Sequence, residues 1–388
     1  MLQLNKRVNL VICQKSKVND WVQHFEKYYK YKGVFVYDLT TWEKDDWNGL
    51  KNFNNMNDCF IDVFIINYEL AFRRPELSKL TDFTLMLDES SLIQNECAKR
   101  SKFILKRLKP SNVILLSGTP TSGKYERLWS QMNLLGWNIS KKMYYAQYVD
   151  MEISPDGYPV IKGYKNVDRL KRKMREHGCV FMKSEEVLNL PHQNFINTHI
   201  PPTTPYKRFM KSGIVNVEGV ELVGDTTLTK LLYARQLCGM YNAEKLKTFK
   251  DLVDSTEDRL IVFYNFKEEA MRLIQIANES NRPWSIVCGE QKSLAAYKNF
   301  DNSITFVQYQ AGAMGLNLQL ANKIIYFSPP LSSELFEQSK KRIHRIGQSN
   351  PCFYYQLVCG IEQRIYDTLS MRKDYTDKLF EEFENEGK

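Results

Sequence analysis
The sequence is poor in metal-ligand patterns. It has five histidines, none in a ligand pair, which argues against a zinc site. Its eight cysteines are scattered, with no C-x-x-C, and each lies in or near an apolar segment. They read as reduced core residues of an intracellular protein, not as a disulfide framework. Cys179, His192 and His199 likewise read as core or surface residues. No apolar run approaches the ~18 residues of a membrane span, and the N-terminus lacks a signal-peptide pattern. These absences set aside disulfide scaffolds, zinc enzymes and membrane spans. What is present is ordinary for a soluble globular protein: 43% hydrophobic and 26% charged residues. The 388 residues suffice for two domains. A net charge of +9 permits a polyanion partner without proving one. Abundant Lys, Asn, Tyr and Phe hint weakly at an AT-rich genome.

The stretch Leu85-Met86-Leu87-Asp88-Glu89-Ser90-Ser91-Leu92-Ile93-Gln94-Asn95 organises the chain. An apolar run from Phe83 to Leu87 ends in two adjacent carboxylates. Buried parallel strands read this way, and ligands of such sheets sit beyond the strands' carboxyl ends. One carboxylate there can hold Mg²⁺ through its water shell, and the other can orient or deprotonate an attacking water. An acidic turn opening a helix has the same appearance. Far downstream lies Gln338-Ser339-Lys340-Lys341-Arg342-Ile343-His344-Arg345-Ile346-Gly347-Gln348. As one continuous helix, capped at Ser332 or Ser333 and ended at Gly347, it would project Gln338, Arg342 and Arg345 from one face. Leu335, Ile343 and Ile346 would form the neighbouring packed face. Paired arginines can stabilise a γ-phosphate in flight, although a solvated basic face looks similar.

Together the two stretches resemble motifs II and VI of superfamily-two helicases, specifically the Swi/Snf-type DNA translocases. Motif II of that family reads DExH with an Ile-x-Asn tail; here stand Asp88-Glu89-Ser90-Ser91, Ile93 and Asn95. Its motif VI, Q-x-x-x-R-x-x-R-x-G-Q, is matched at all five positions. The Ser-Ser form resembles a variant common in bacteriophage relatives. The resemblance spans about Val8 to Lys378 and implies further sites. Lys15 and Ser16, after an apolar strand, resemble motif Ia and would touch a nucleic-acid backbone; Asn67 falls in the motif Ib region. Ser117-Gly118-Thr119 resembles motif III, which couples nucleotide to DNA. Asn265 resembles motif IV, and Gln310 to Asn317, with Gly315 and Asn317, motif V. Leu188 to Pro191 resembles the exit from a helical insertion.

Gly118-Thr-Pro-Thr-Ser-Gly123-Lys124 fits the spacing of a phosphate-binding loop, but Tyr125 stands where Ser or Thr would ligate Mg²⁺. It also follows the acidic strand instead of preceding it. In the family the phosphate loop, motif I, lies one strand-loop-helix unit before motif Ia. Such a unit needs roughly 30 residues, and only seven precede Val8. The expectation is therefore an α/β protein of two RecA-like parallel-sheet domains with helical insertions, the first domain N-terminally incomplete. The bounds expected are 1–140 for the first, 141–258 for insertions and linker, and 259–388 for the second with its terminal helix. The resemblance implies ATP hydrolysis with Mg²⁺, coupled to movement on double-stranded DNA without sequence preference. Asp88, Glu89, Arg342 and Arg345 are the expected catalytic residues, with Asp88 on Mg²⁺. Ser117, Gly118, Thr119, Gly315, Gln338 and Gln348 would bind ATP or couple it; Lys15, Ser16, Asn67, Asn265 and Asn317 would meet DNA. The alternative is a DNA-binding remnant, or one subunit of a split helicase whose motif I sits on another polypeptide. The compartment expected is the cytoplasm, a host's if the gene is phage-borne, with no membrane partner.

Overall fold
The computed structural model describes all residues except 5, 30–32, 56–59, 119, 122, 155–156, 182–188, 313–314 and 373–388. The chain forms two compact units, built on Met1–Phe181 and Met182–Asp374.

The first unit holds five parallel strands: β1 Val8–Cys13, β2 Val34–Asp38, β3 Ile61–Asn67, β4 Thr84–Asp88 and β5 Asn112–Leu116, in the order β2-β3-β1-β4-β5. The central β1 is buried along its whole length, which is why it reads as a near-continuous apolar run. Its one polar side chain, Asn9, donates to the Lys6 carbonyl at 3.0 Å. Register pairs Cys13 with Asn67, Ile12 with Leu87 and Asp88 with Leu116. The carboxyl ends of β1, β3, β4 and β5 therefore share one edge of the sheet, where ligands of open α/β sheets bind.

The polar stretch 37–57 reads from sequence as loop-rich; it ends β2 at the sheet's edge and then forms the helix Lys44–Gly49 and the 3-10 turns Leu50–Asn55. Of β2 only Val34 is buried, so the strand lacks the apolar run that marks its neighbours. Leu39, Trp47 and Leu50 bury themselves against Phe64 and anchor this segment. Helix was also expected from Gln94 to Leu108. The chain makes a 3-10 turn at Ser90–Ile93, and α-helix runs only over Lys99–Lys106.

The stretch 141–258 divides between the units. In the first unit, the helices Lys141–Tyr148 and Val167–Glu176 flank an antiparallel hairpin, β6 Val149–Ile153 and β7 Pro159–Tyr164. Tyr144, Tyr148, Leu170 and Met174 pack there with Tyr125, Leu128 and Met132.

The second unit begins its described structure with β8 Gln193–Ile200 and the hairpin β9 Ile214–Val217 and β10 Val220–Val223. Then come β11 Leu260–Tyr264, β12 Trp284–Val287, β13 Lys292–Ser293, β14 Ile304–Gln308, β15 Lys323–Tyr326 and β16 Cys352–Cys359. The seven-stranded sheet runs β13-β12-β14-β11-β15-β16-β8 and is parallel except for β13. The helices Thr227–Cys238 and Ala243–Asp254 cover one face through Leu237, Cys238, Phe249 and Val253. Helix continues over residues 362–372, and the rest of the expected terminal helix lies outside the described residues.

Inside the second unit Lys245 Nζ lies 2.6 Å from Glu362 Oε2, and both side chains are wholly buried. Burial pushes the Glu362 carboxyl up to about 7, against the opposing pull of Lys245. A folded pKa above the unfolded value favours folding fully below the unfolded pKa, and that contribution is lost as pH rises through the folded one. Between the ordinary carboxylate value of 4.5 and about 7, the parent is therefore expected to lose stability that Glu362→Gln does not lose. The difference should reach on the order of 3 kcal/mol. Denaturant unfolding of both proteins across this window measures it; parallel pH profiles would refute the assignment.

Candidate functional site
Asp88 ends β4, and the chain then turns sharply. Glu89 adopts φ 58° and ψ 56°, the left-handed region that non-glycine residues rarely occupy. Two hydroxyls donate to its Oε1: Ser91 Oγ at 3.0 Å and Ser117 Oγ at 3.1 Å. The Asp88 carboxylate accepts from Trp21 Nε1 at 2.9 Å through Oδ2. Its backbone carbonyl accepts from the Tyr68 hydroxyl at 3.0 Å. Burial, with Asp88, Cys13 and Glu89 close by, holds the Tyr68 phenol well above its ordinary pKa, so it stays a donor. Burial first, and Asp88 second, likewise raise the Cys13 thiol, which makes it an inert wall of the site. The two carboxylates are thus set by different partners: Asp88 by an indole, Glu89 by two serines, while the Tyr68 phenol holds the Asp88 carbonyl.

Ser117, directly after β5, is thereby tied to the acidic turn. A second tie runs beneath it. Ser90 Oγ donates to Gln131 Oε1 at 2.9 Å, and Gln131 Nε2 donates to the Pro120 carbonyl at 2.7 Å. Gln94 Nε2 donates to the same carbonyl at 2.9 Å and its Oε1 accepts from Arg127. Trp21, Tyr68, Gln94, Arg127 and Gln131 were not singled out from the sequence. Only Tyr68, directly after a strand tip, carried a local signal. Thr119 lies outside the described residues. In the 118–124 segment, of which 119 and 122 lie outside the described residues, Gly123 N donates to Thr121 Oγ1 and Lys124 N to the Thr121 carbonyl. Tyr125 is buried.

Lys15 and Ser16 are exposed on the 3-10 turn Lys15–Lys17 after β1. Asn67 is buried at the end of β3, and its amide donates to Glu69 Oε2 at 3.0 Å.

In the second unit the helix that begins the Gln338–Gln348 stretch covers only Ser333–Lys340, with Ser332 as its N-cap. Arg342 and Arg345 lie in the turns beyond it and do not share its face. The tertiary contact that ends the helix is visible: the Arg342 carbonyl accepts from Leu318 N at 3.1 Å. The expected apolar face fails with it. Ile343 is buried, but Ile346 is 69% exposed. Even so, the turn brings the expected residues together with 315–318. Arg342 Nε donates to the Gln338 carbonyl at 3.0 Å and its Nη1 to the Leu316 carbonyl at 3.4 Å. Arg345 bonds the side chain of exposed Asn317. Gly315 takes φ 68°, while Ala313 and Met314 lie outside the described residues. Gln348 Nε2 anchors the turn on the Ala321 carbonyl at 2.8 Å. Gln338 reaches Glu334 at 3.4 Å, and its buried Oε1 has no partner among the described residues. Asn265 turns its amide onto the Ser328 hydroxyl at 2.8 Å and the Pro329 carbonyl at 3.0 Å.

The model of the SNF2-related domain matches residues 3–242, and the helicase conserved C-terminal domain matches 244–347. The chain belongs to the SNF2-related family. Its two largely parallel sheets are the pair of RecA-like domains of this SNF2-related, helicase-like ATPase class. Among curated relatives, it is 20% identical over 412 residues to the ISWI chromatin-remodeling complex ATPase ISW1 of Saccharomyces cerevisiae, covering 94% of this chain and 35% of that protein. It is 22% identical over 450 residues to the DNA repair and recombination protein RDH54 of the same species, covering 98% of this chain and 45% of that protein. The SNF2-related chain thus spans less than half the length of these relatives. Among solved structures, the Sulfolobus solfataricus SWI2/SNF2 ATPase core in complex with dsDNA matches 97% of this chain and 83% of that one, at 18% identity and a TM-score of 0.41.

Proposed function
We propose that this chain is the helicase-like ATPase core of a Swi/Snf-type DNA translocase, of the Ser-Ser variant resembling bacteriophage relatives. It couples ATP hydrolysis to movement on double-stranded DNA. The observation that carries the reading is the Asp88–Glu89 turn: a carboxylate forced into the left-handed region and aimed by Ser91 and Ser117, beside a second carboxylate at a strand end. In this reading Glu89 orients or deprotonates the attacking water. Asp88 would hold Mg²⁺ through water, a role that suits a hard oxygen donor with one oxygen engaged by Trp21. Arg342 and Arg345 stabilise charge on the transferred phosphoryl group, and Ser117 couples nucleotide to DNA. Gln338, whose carbonyl accepts from Arg342 and whose buried Oε1 has no partner among the described residues, belongs to the same nucleotide-responsive segment.

Gripping the β and γ phosphates takes a loop of backbone amides and a lysine. The 118–124 segment spends amides on Thr121 instead. The reading therefore assigns that grip to a segment outside these residues, whether of a longer chain or of a separate polypeptide. Residues 1–388 alone are expected to hydrolyse ATP poorly, and addition of the gripping segment to give DNA-stimulated turnover. Steady-state hydrolysis with and without duplex DNA tests both points. Robust turnover by residues 1–388 alone would remove the separate grip. No turnover in any combination would leave a DNA-binding subunit without catalysis.

DNA binding is expected to be indifferent to sequence and steeply dependent on salt, because exposed Lys15, Ser16 and Asn317 suit backbone phosphates. Between ~50 and ~200 mM salt, affinity should fall by at least ~10²-fold if several phosphates are contacted. Titration of labelled duplexes of unrelated sequence over this range measures it, and a flat salt response would contradict the assignment. Buried, unpaired Cys13, Cys238, Cys352 and Cys359 suit the proposed cytoplasmic setting, a host's cytoplasm if the gene is phage-borne.

A further inference from the structure
Gln131 is a buried amide that joins the acidic turn to the segment after β5. It is only 4% exposed, and its partner Ser90 only 1%. Gln131 Nε2 donates to the Pro120 carbonyl at 2.7 Å, and Gln131 Oε1 accepts from Ser90 Oγ at 2.9 Å. The direction of the amide is forced. A carbonyl can only accept, so the amide nitrogen must face Pro120, and the amide oxygen is left for Ser90. Gln94 Nε2 donates to the same carbonyl at 2.9 Å, so both lone pairs of the Pro120 oxygen are in use.

Gln131 is itself held in place. It lies in the helix Leu128–Leu134, which packs into two cores at once. Leu134 packs against the sheet core that contains Leu85 and Leu87. Leu128 and Met132 pack with Tyr144, Leu170 and Met174. A side chain on a helix fixed from both sides can fix what it bonds.

What it fixes is the geometry at Glu89. A residue with a β-carbon keeps φ 58° and ψ 56° only where its surroundings over-determine it. Ser90 is the next residue, and its bond to Gln131 is one of those restraints. Pro120 follows Ser117, whose hydroxyl aims the Glu89 carboxylate at 3.1 Å. The chain from Ser117 to Pro120 is thus tied to the acidic turn twice: at Ser117 through Glu89 itself, and at Pro120 through Gln131 and Ser90. Removing the amide releases the left-handed turn and the far end of the segment that carries the aiming hydroxyl.

We propose that Gln131 is a positioning residue for Glu89, keeping the carboxylate in register with Ser117 by holding Ser90 and the Pro120 carbonyl with one amide. This role rests on the reading of Glu89 as the group that orients or deprotonates the attacking water.

Steady-state hydrolysis, with duplex DNA and the phosphate-gripping segment present, tests it in Ser90→Ala, Gln131→Met and the two combined. Each variant is expected to lower kcat by roughly tenfold to a hundredfold, the cost of a small misplacement at the reacting centre. KM for ATP should stay within about threefold of the parent, because the loss belongs to the transition state. Denaturant unfolding gives the second readout. Each single substitution leaves a buried polar group without its partner and should lower the midpoint; the double variant removes both partners and should recover most of that loss. Its kcat should not recover. A glutamine with a merely structural role predicts the opposite, with rate returning alongside stability. Ser90→Ala deletes one oxygen, so it decides the matter if Gln131→Met does not fold. The proposal is overturned by parental kcat in Ser90→Ala or Gln131→Met, by recovery of kcat in the double variant, or by a raised KM with kcat unchanged. Glu89→Gln is measured beside them. If it is slow while the other variants are parental, the role of Gln131 alone falls. If it hydrolyses at the parental rate, or the parent does not turn over, the reading of the acidic turn fails and the role of Gln131 with it.

Discussion

Glu89→Gln is expected to reduce single-turnover ATP hydrolysis by ~10²–10⁴-fold at saturating duplex DNA, in the protein supplied with its phosphate-gripping segment. Nucleotide affinity should stay within about threefold of the parent, because the lost interaction belongs to the transition state. The substitution is chosen for what it preserves. The glutamine side-chain oxygen can still accept from Ser91 and Ser117, as Glu89 Oε1 does at 3.0 and 3.1 Å. Its β-carbon meets the left-handed backbone at φ 58° no differently. Only the negative charge and the ability to take a proton disappear. Ser117→Ala removes one of the two donors and leaves the charge, so it should slow turnover less than Glu89→Gln does while leaving nucleotide binding alone. If Glu89→Gln hydrolyses at the parental rate, the 85–95 stretch is not the catalytic motif. A DNA-binding subunit without turnover then becomes the better reading.

The acidic turn was legible because its strand is buried on both faces and must be an apolar run that stops at the first charged residue. The same physics exposed β1, β3, β11 and β14. It failed at the sheet's margin. In β2 only Val34 is buried, and β8 exposes both Phe195 and Ile196, so neither strand shows the pattern of its neighbours. Helical periodicity also overreached at Gln338–Gln348. Spacing alone cannot report that Leu318 N would bond the Arg342 carbonyl and that the chain would leave the helix at Lys340. The partners of the site were hidden for another reason. Trp21 sits on the face of an amphipathic helix and reads as core, yet its indole N–H reaches Asp88 across 67 positions of sequence. Arg235 lies on a stretch whose sequence reads as an amphipathic helix, yet it is buried at a cleft. Such long-range pairings have no signature in composition or period. Asn67 and Asn265 show the converse: strand-tip position pointed to a ligand, while the folded protein commits both amides to Glu69 and to the Ser328–Pro329 segment.

Arg342→Ala and Arg345→Ala are each expected to slow single-turnover hydrolysis by ~10³-fold if the residue acts on the transferred phosphoryl group. The structure separates the two in every other respect. Arg342 is half-buried and donates to the Gln338 and Leu316 carbonyls, so its loss should also cost the second unit about 1 kcal/mol per broken hydrogen bond. Among the described residues the Arg345 side chain bonds only exposed Asn317, and its loss should cost almost nothing in stability. Lysine is no substitute at position 342, since a point charge cannot make the two divergent donations of a planar fork. Denaturant unfolding should therefore show a lower midpoint for Arg342→Ala, a parental one for Arg345→Ala, and slow chemistry for both. A rate loss confined to Arg342→Ala would mean that the loop at 315–318 had been loosened and would leave Arg345 without a catalytic role. Parental hydrolysis in both variants, with duplex affinity reduced and its salt slope shallower, would place these arginines on nucleic-acid phosphates instead of on the nucleotide.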